Sequence, residues 1–423
     1  QETSKTGSLE VIHYDDFENA RSTTQYIIQT SDNTIYNIYP TDNSIESYEG
    51  NEISIEGYVQ GSEIVPSRLS DLFPVPRGQG KPRPKEEKLI ILLVNWADDN
   101  STPLTLRQAY NLTLYPNNPD SLSYYINEVS YGKASVTGNV YGWVKSDYNK
   151  QSMCTSRFLA IDDIISKADP YVNFSNYQHL MIVSSSRTGC SSSAGSYPFT
   201  FNINDGTVKL TVSQMESYEY INNAAFIHEF GHQLGLGHAN GWECGSTTIG
   251  NNCQSINYRD TLDLMGFYPG NNHFNAFHKE KLGWLNSREI KTISSPGNYT
   301  LTPIEIPVGL KMLKIPTSSG IAYSVEFRRP ILLDKRNSDW FGSQIYSGAI
   351  LHTNLSSINA GYDTQLLDNK PHAGDTSVSE FADSALDVNQ KFQDSVNNIE
   401  IKTLSYSDQN LTVCIGPINY CST

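Results

Sequence analysis

Between Ser8 and Ser67 the apolar residues fall in short runs: Leu9-Glu10-Val11-Ile12, Tyr26-Ile27-Ile28, Ile35-Tyr36-Asn37-Ile38-Tyr39 and Ile53-Ser54-Ile55-Glu56-Gly57-Tyr58-Val59, with Ser, Asp, Asn and Gly clusters between them. Runs of this length, rich in β-branched and aromatic residues and bounded by turn formers, predict strands. Residues 1–72 are therefore expected to form a small all-β module. It holds no Cys and one histidine, His13, and no cluster that suggests chemistry. Residues 73–88 are rich in Pro, Gly and charge, the composition of an exposed linker and a domain boundary. Lys81 and Arg83 each precede Pro, so Arg77-Gly78 and Lys85-Glu86 are the bonds open to a trypsin-like enzyme. The linker reads either as an activation site, which would make residues 1–72 a propeptide, or as a tether that stays intact.

From Leu89 the pattern changes. An uninterrupted apolar run, Leu89 to Val94, predicts a buried strand; helices are expected over Ser121–Val129 and Arg157–Lys167, and strands over Val140–Val144 and His179–Val183. Strands alternating with helices imply a mixed sheet with helices packed on it, over residues 89–287. Beyond Trp284 the runs Tyr299–Thr302, Ala322–Phe327, Ala349–Leu351 and Leu411–Ile415 predict a C-terminal β-sandwich-like domain over residues 288–423. No internal repeat of fixed period is present.

Composition narrows the class. At 423 residues the chain is long enough for several domains of roughly 150 residues each. Thirty basic residues against 45 acidic give a formal charge of −15, which disfavours nucleic acid or an anionic membrane as the main partner. No apolar run reaches the length of a transmembrane helix. The sequence begins at Gln1 and its first Met is Met153, which suggests a processed, exported product, extracellular or held at the cell surface, and monomeric. Six cysteines without C-x-x-C spacing favour disulfides over a zinc ribbon. They allow 15 connectivities; local pairing would join Cys154 to Cys190, Cys244 to Cys253 and Cys414 to Cys421. Six Asn-x-Ser/Thr triplets are about the number expected by chance in such a composition.

The chemistry lies in His228-Glu229-Phe230-Gly231-His232-Gln233-Leu234-Gly235-Leu236-Gly237-His238. Ile221, Ala224, Ala225, Ile227, Phe230 and Leu234 recur at helical spacing, so a helix is expected over about Ile221–Gln233, with Asn222 or Asn223 near its start. His228 and His232, at i and i+4, then share a face and can bind one zinc ion. Glu229 is the natural general base for a water on that ion. Gly235 tolerates positive φ, so the chain can end the helix, turn and bring His238 back as third ligand. Three imidazoles leave one position open for water, the arrangement suited to peptide-bond hydrolysis.

This extended motif, followed by Asp263-Leu264-Met265-Gly266, resembles the metzincin zinc proteases, in which a Met in a downstream turn floors the metal site; here that residue would be Met265. Within that group the chain is similar to the gametolysin-type peptidases. The likeness rests on the zinc motif, on Phe274–Leu285, on Ser130-Tyr131-Gly132-Lys133 with Gly138-Asn139-Val140, and on Tyr323–Arg328, and it covers about Lys88 to Thr353. The resemblance implies a central metzincin-type catalytic domain that cleaves extracellular protein or glycoprotein. Many metzincins keep themselves latent with a propeptide cysteine. None precedes Cys154 here, so latency would require a carboxylate or imidazole from residues 1–88, or steric cover.

Weaker candidates have plainer readings. Tyr268 reads as packing rather than as an oxyanion donor, and His273 and His278 as packed or surface residues. Asp98-Asp99-Asn100 and Asp375 to Asp387 are candidate calcium ligands without EF-hand spacing, so solvated loops are the simpler expectation. Two rival functions remain at this level: a zinc hydrolase acting on a non-peptide amide or cell-wall linkage, and a non-catalytic adhesin on the same scaffold.

Overall fold

The structure is a computed structural model. It describes residues 2–40, 45, 48, 50–66, 85–195, 198–222, 224–266, 272–318, 322–336, 344–354 and 362–422. The expected linker falls largely outside them, as do Arg77 and Tyr268. Two compact units divide the chain: residues 1–128 with 132–235, and residues 129–131 with 236–423.

The first unit is built on one mixed sheet. Its strands are β1 (Glu2–Asp16), β2 (Arg21–Thr30), β3 (Ile35–Ile38), β4 (Glu52–Gln60), β5 (Glu63–Pro66), β6 (Glu86–Asn95), β7 (Ser135–Lys145), β8 (His179–Ser184), β9 (Ser192–Gly195), β10 (Phe199–Ile203) and β11 (Gly206–Met215). Along the sheet they run β2-β3-β5-β4-β1-β9-β11-β8-β6-β7, with β10 paired to β11. The run Leu89–Val94 is buried throughout and sits in the middle of β6, which pairs in parallel with both β7 and β8. Such placement is why its residues are apolar on both faces. β11 continues the parallel set beside β8, whereas β9 is antiparallel to β11 and to β1.

Helices α1 (Leu106–Thr113), α2 (Leu122–Val129), α3 (Ser152–Thr155), α4 (Arg157–Ala168) and α5 (Ala224–Gln233) complete this section. α1 starts where Thr105 and Gln108 form a reciprocal capping box. α4 buries Ala160, Ile161, Ile164, Ile165 and Ala168 on one face and leaves Lys167 to pair with Asp163 and Asp147 at 3.1 and 2.7 Å. Ile12 and Ile27 of the N-terminal strands join Ile90, Leu92, Ile161, Ile164 and Leu180 in one apolar cluster. The N-terminal strands thus extend the sheet of the α/β section.

In the second unit, β12 (His238–Glu243), β13 (Gln254–Ile256), β14 (Ile290–Thr292), β16 (Met312–Pro316), β17 (Ala322–Glu326), β18 (Gly348–Asn354), β19 (Tyr362–Leu367) and β20 (Leu386–Asp387) form one sheet. β15 (Gly297–Leu301), β21 (Lys391–Asp394), β22 (Ile399–Tyr406) and β23 (Leu411–Gly416) form another. Leu313, Val325 and Leu351 from the first and Leu301, Ile401 and Val413 from the second share one core. Short helices α6 (Ala276–Lys281) and α7 (Val378–Phe381) are the described α-helices here. All six cysteines are bonded: Cys154 to Cys190, Cys244 to Cys253 and Cys414 to Cys421, the local pairing among the 15. Among the described residues no helix is long and apolar enough to cross a membrane.

Candidate metal centre

Every residue of α5 is buried, which for a helix means contact on all sides and explains why its sequence is apolar beyond a single stripe. It begins at Ala224, three residues later than the spacing suggests, because Ser217 caps a separate 3₁₀ turn, Tyr218–Tyr220, just ahead of it. Polar anchors fix its rotation. Gln233 Nε2 donates to Leu180 O on β8 at 2.7 Å, and Ser213 Oγ on β11 donates to Glu229 O at 3.3 Å. Phe230 meets the edge of His179, whose ring is held between Glu87 and Thr211. With that face committed to the sheet, His228 and His232 point to a common spot, their Nε2 atoms 3.1 Å apart.

The helix ends as expected. Gly235 takes φ +81°, and its N–H donates to His232 O at 2.7 Å. Three residues further on, His238 opens β12. The structure adds a partner that the sequence pattern does not show: Asp15, at the end of β1. Its Oδ2 lies 3.0 Å from His232 Nε2 and 3.4 Å from His228 Nε2. The candidate ligand atoms of Asp15, His228 and His232, all in the first unit, lie within 4.8 Å of one another, and these residues, like His238, are buried. Theirs is the one such group among the described residues. A tetrahedral ion with ligands at 2.0 to 2.1 Å has ligand–ligand edges of about 3.3 Å. The three contacts of 3.0 to 3.4 Å match that edge.

Glu229 follows the first histidine and is fully buried. Neither carboxylate oxygen has a hydrogen-bond partner among the described residues. Buried oxygens left so cost free energy, and packing gives no reason for a carboxyl here. Burial, then the nearby Asp15 charge, push this carboxyl well above the usual carboxylate range. Rings from β1 and the following turn line the same place. His13 stacks on His232 with centroids 4.3 Å apart, and Phe17 meets the edge of His228 at 5.2 Å.

Met265 is buried in a turn whose backbone is tied to the third histidine's strand: Ala239 N–H donates to Met265 O at 3.0 Å. Asp263 organises that turn. Its carboxylate accepts from Met265 N at 2.7 Å, Asn275 N at 2.6 Å and His278 Nδ1 at 2.7 Å. His278 is therefore a support of this turn, remote from any ligand role, in line with the packing reading. His273 likewise packs: its Nδ1 receives Lys279 Nζ at 2.9 Å, and the same ammonium reaches Val129 O and Tyr131 Oη. Glu326 and Arg328, from another of the segments that carry the resemblance, form a buried ion pair at 2.7 Å, and Asp334 meets the same guanidinium at 2.9 Å.

The candidate calcium loops are occupied by their own chain. Asp99 accepts from Ser101 N, Ser185 Oγ and Ser186 Oγ, Asp98 accepts from Lys150 N, and Lys145 donates to Asn100. Farther on, Asp375 accepts from Ser377 N and Asp387 pairs with Lys370 at 2.9 Å.

His228, Glu229, His232, Gly235, His238 and Met265 stand out in the sequence by their spacing, and Asp15 does not. As one acid among 45, it has no spacing relative to the histidines that could reveal it; only strand pairing brings it across 213 residues. No protein-family model matches the chain, and no curated protein matches its sequence.

Proposed function

We propose that the chain is a zinc-dependent metalloendopeptidase of the metzincin type, similar to the gametolysin peptidases, exported and acting on extracellular protein or glycoprotein. The observation that carries this reading is the convergence of His228 and His232 with the Asp15 carboxylate, at tetrahedral edge lengths, on the helix that also carries the buried carboxyl of Glu229. His228, His232 and His238 would hold the ion through neutral imidazoles. A zinc ion bound there would supply Lewis acidity, which brings the pKa of a water to ~7 and polarises a carbonyl.

The protein's own part follows from position. Glu229 takes the proton of the attacking water and passes it to the departing amine nitrogen, so one carboxyl serves as base and then acid. Glu229 is fully buried on the same helix as His228 and His232, which suits it to this proton transfer. Met265 and the Asp263 turn keep the strand of His238 in place. Three disulfides suit an oxidising, extracellular setting.

The test uses the full chain and its Asp15→Ala form, each with and without Glu229→Gln. Metal content is measured by mass spectrometry, and cleavage on a denatured protein mixture with and without chelator. One zinc per chain in all four, with cleavage abolished by Glu229→Gln and by the chelator, is expected. Stoichiometric zinc without cleavage in either background would exclude the endopeptidase; less than stoichiometric zinc throughout would exclude the metalloenzyme.

A further inference from the structure

We propose that the chain carries its own inhibitor: Asp15 is a fourth metal ligand, and the strand that bears it fills the peptide-binding edge of the sheet. The inference rests on the metallopeptidase reading above. Its first support is the carboxylate itself. Asp15 is buried together with His228 and His232, and its Oδ2 contacts both Nε2 atoms. A buried carboxylate is costly unless it is matched by positive charge, and a divalent ion held by the imidazoles would supply that charge. A carboxylate bound to that ion would take a coordination position that a metal-bound water would otherwise hold.

The second support is the strand pairing. β1 meets β9 antiparallel over four residues, Ile12 with Gly195, His13 with Ala194, Tyr14 with Ser193 and Asp15 with Ser192. On its other side β9 is bonded to β11, so without β1 it would be the open edge of the parallel set. An open edge accepts an extended peptide through backbone hydrogen bonds, the general mode of strand addition. β9 is Ser-Ser-Ala-Gly, all buried, and its small side chains leave room for whatever side chains an added strand presents. A substrate on this edge is therefore read through its backbone, which points to an unfolded or extended polypeptide as the substrate class.

Occupation of the edge and of the metal by one segment is more than incidental packing. On either side of Asp15 in the chain, His13 stacks on the ring of His232 and Phe17 packs T-shaped against His228, as a bound peptide's residues would. Beyond Asp15 a groove of about 260 Å³ continues past Asp16, Phe17, Glu18, Ser192, Glu216 and Tyr220. The N-terminal strands are also held to the α/β section by the Gln29 amide, which pairs with both backbone groups of Thr200 at 3.0 and 3.1 Å, and by an ion pair of Glu18, in the turn after β1, with Arg187.

The experiment compares the cobalt(II)-loaded full chain with its Asp15→Ala and Asp15→Asn variants and with Asp16→Ala as a neighbouring control. Asparagine keeps the side-chain volume and lets folding be matched by circular dichroism. If Asp15 is a ligand, both Asp15 variants shift the visible cobalt bands and weaken zinc binding roughly tenfold or more, while Asp16→Ala leaves both unchanged. If the strand is the inhibitor, cleavage of a denatured protein rises at least tenfold in Asp15→Ala. Identical spectra in parent and Asp15 variants, with metal bound, would overturn the ligand assignment and leave the metalloenzyme reading intact. Shifted spectra with no gain in cleavage would overturn the inhibitory role. Failure of parent and variants alike to bind cobalt would remove the premise itself.

Discussion

Asp263 shows how one side chain can set the geometry of a turn. It is fully buried and accepts from two backbone N–H groups and from His278. Burial alone would raise its pKa; the charge of His278 and these donors outweigh that and hold the carboxyl below its usual range. A carboxyl with a lower pKa folded than unfolded contributes stability above the unfolded value, about 3.9, and loses it as pH falls through the folded value. Stability measured by urea titration should therefore drop below pH ~4 in the parent. Asp263→Asn should show a flatter profile there and lie about 3 kcal/mol lower at pH 7, the cost of leaving His278 and two N–H groups poorly matched. Parallel profiles for the two proteins would show that Asp263 is not the group responsible.

Among the elements, β9 depends most on its surroundings. Four small residues supply almost no apolar area of their own, so the strand is held by its neighbours β1 and β11 and by the chain that leads into it. That chain is tied down by the disulfide from Cys190, two residues ahead of β9, to Cys154 on α3. Closing a loop with a sequence separation of 36 restricts the unfolded chain by about 4 kcal/mol in the entropy model. Replacing both cysteines with Ser should cost about 2–4 kcal/mol and should speed amide hydrogen exchange in Ser192–Gly195 more than in β6. Uniform exchange along the sheet would show that the bond stabilises without positioning this edge. α5 contrasts with β9: its apolar spacing and its terminating Gly235 make it legible in sequence, and the structure moves only its start.

Taken as a whole, the molecule places its candidate ligands in buried surroundings, so metal binding should couple to folding. A site with no counterpart in the unfolded chain stabilises the folded one by about 2.7 kcal/mol when free metal stands at 100 times its dissociation constant. Chelation should lower the melting temperature of the parent and of Glu229→Gln alike, and should leave a His228→Ala/His232→Ala double variant unchanged. Equal melting with and without chelator in the parent would show that no ion is held. The sequence by itself determined what is local: the buried strand Leu89–Val94, helices α2 and α4, the short strands at both ends, and the eleven residues that carry two histidines, a base and a turn at helical spacing. These follow from periodicity and from glycine's access to positive φ, which act over a few residues. Only tertiary structure decided the rest. β9 has no apolar signature, β12 begins inside a motif that reads as a turn, and Asp15 reaches His232 across 217 residues through the pairing of β1 with β9. Pairing between distant strands depends on backbone hydrogen bonds that every residue can offer, and such bonds leave little mark on the sequence.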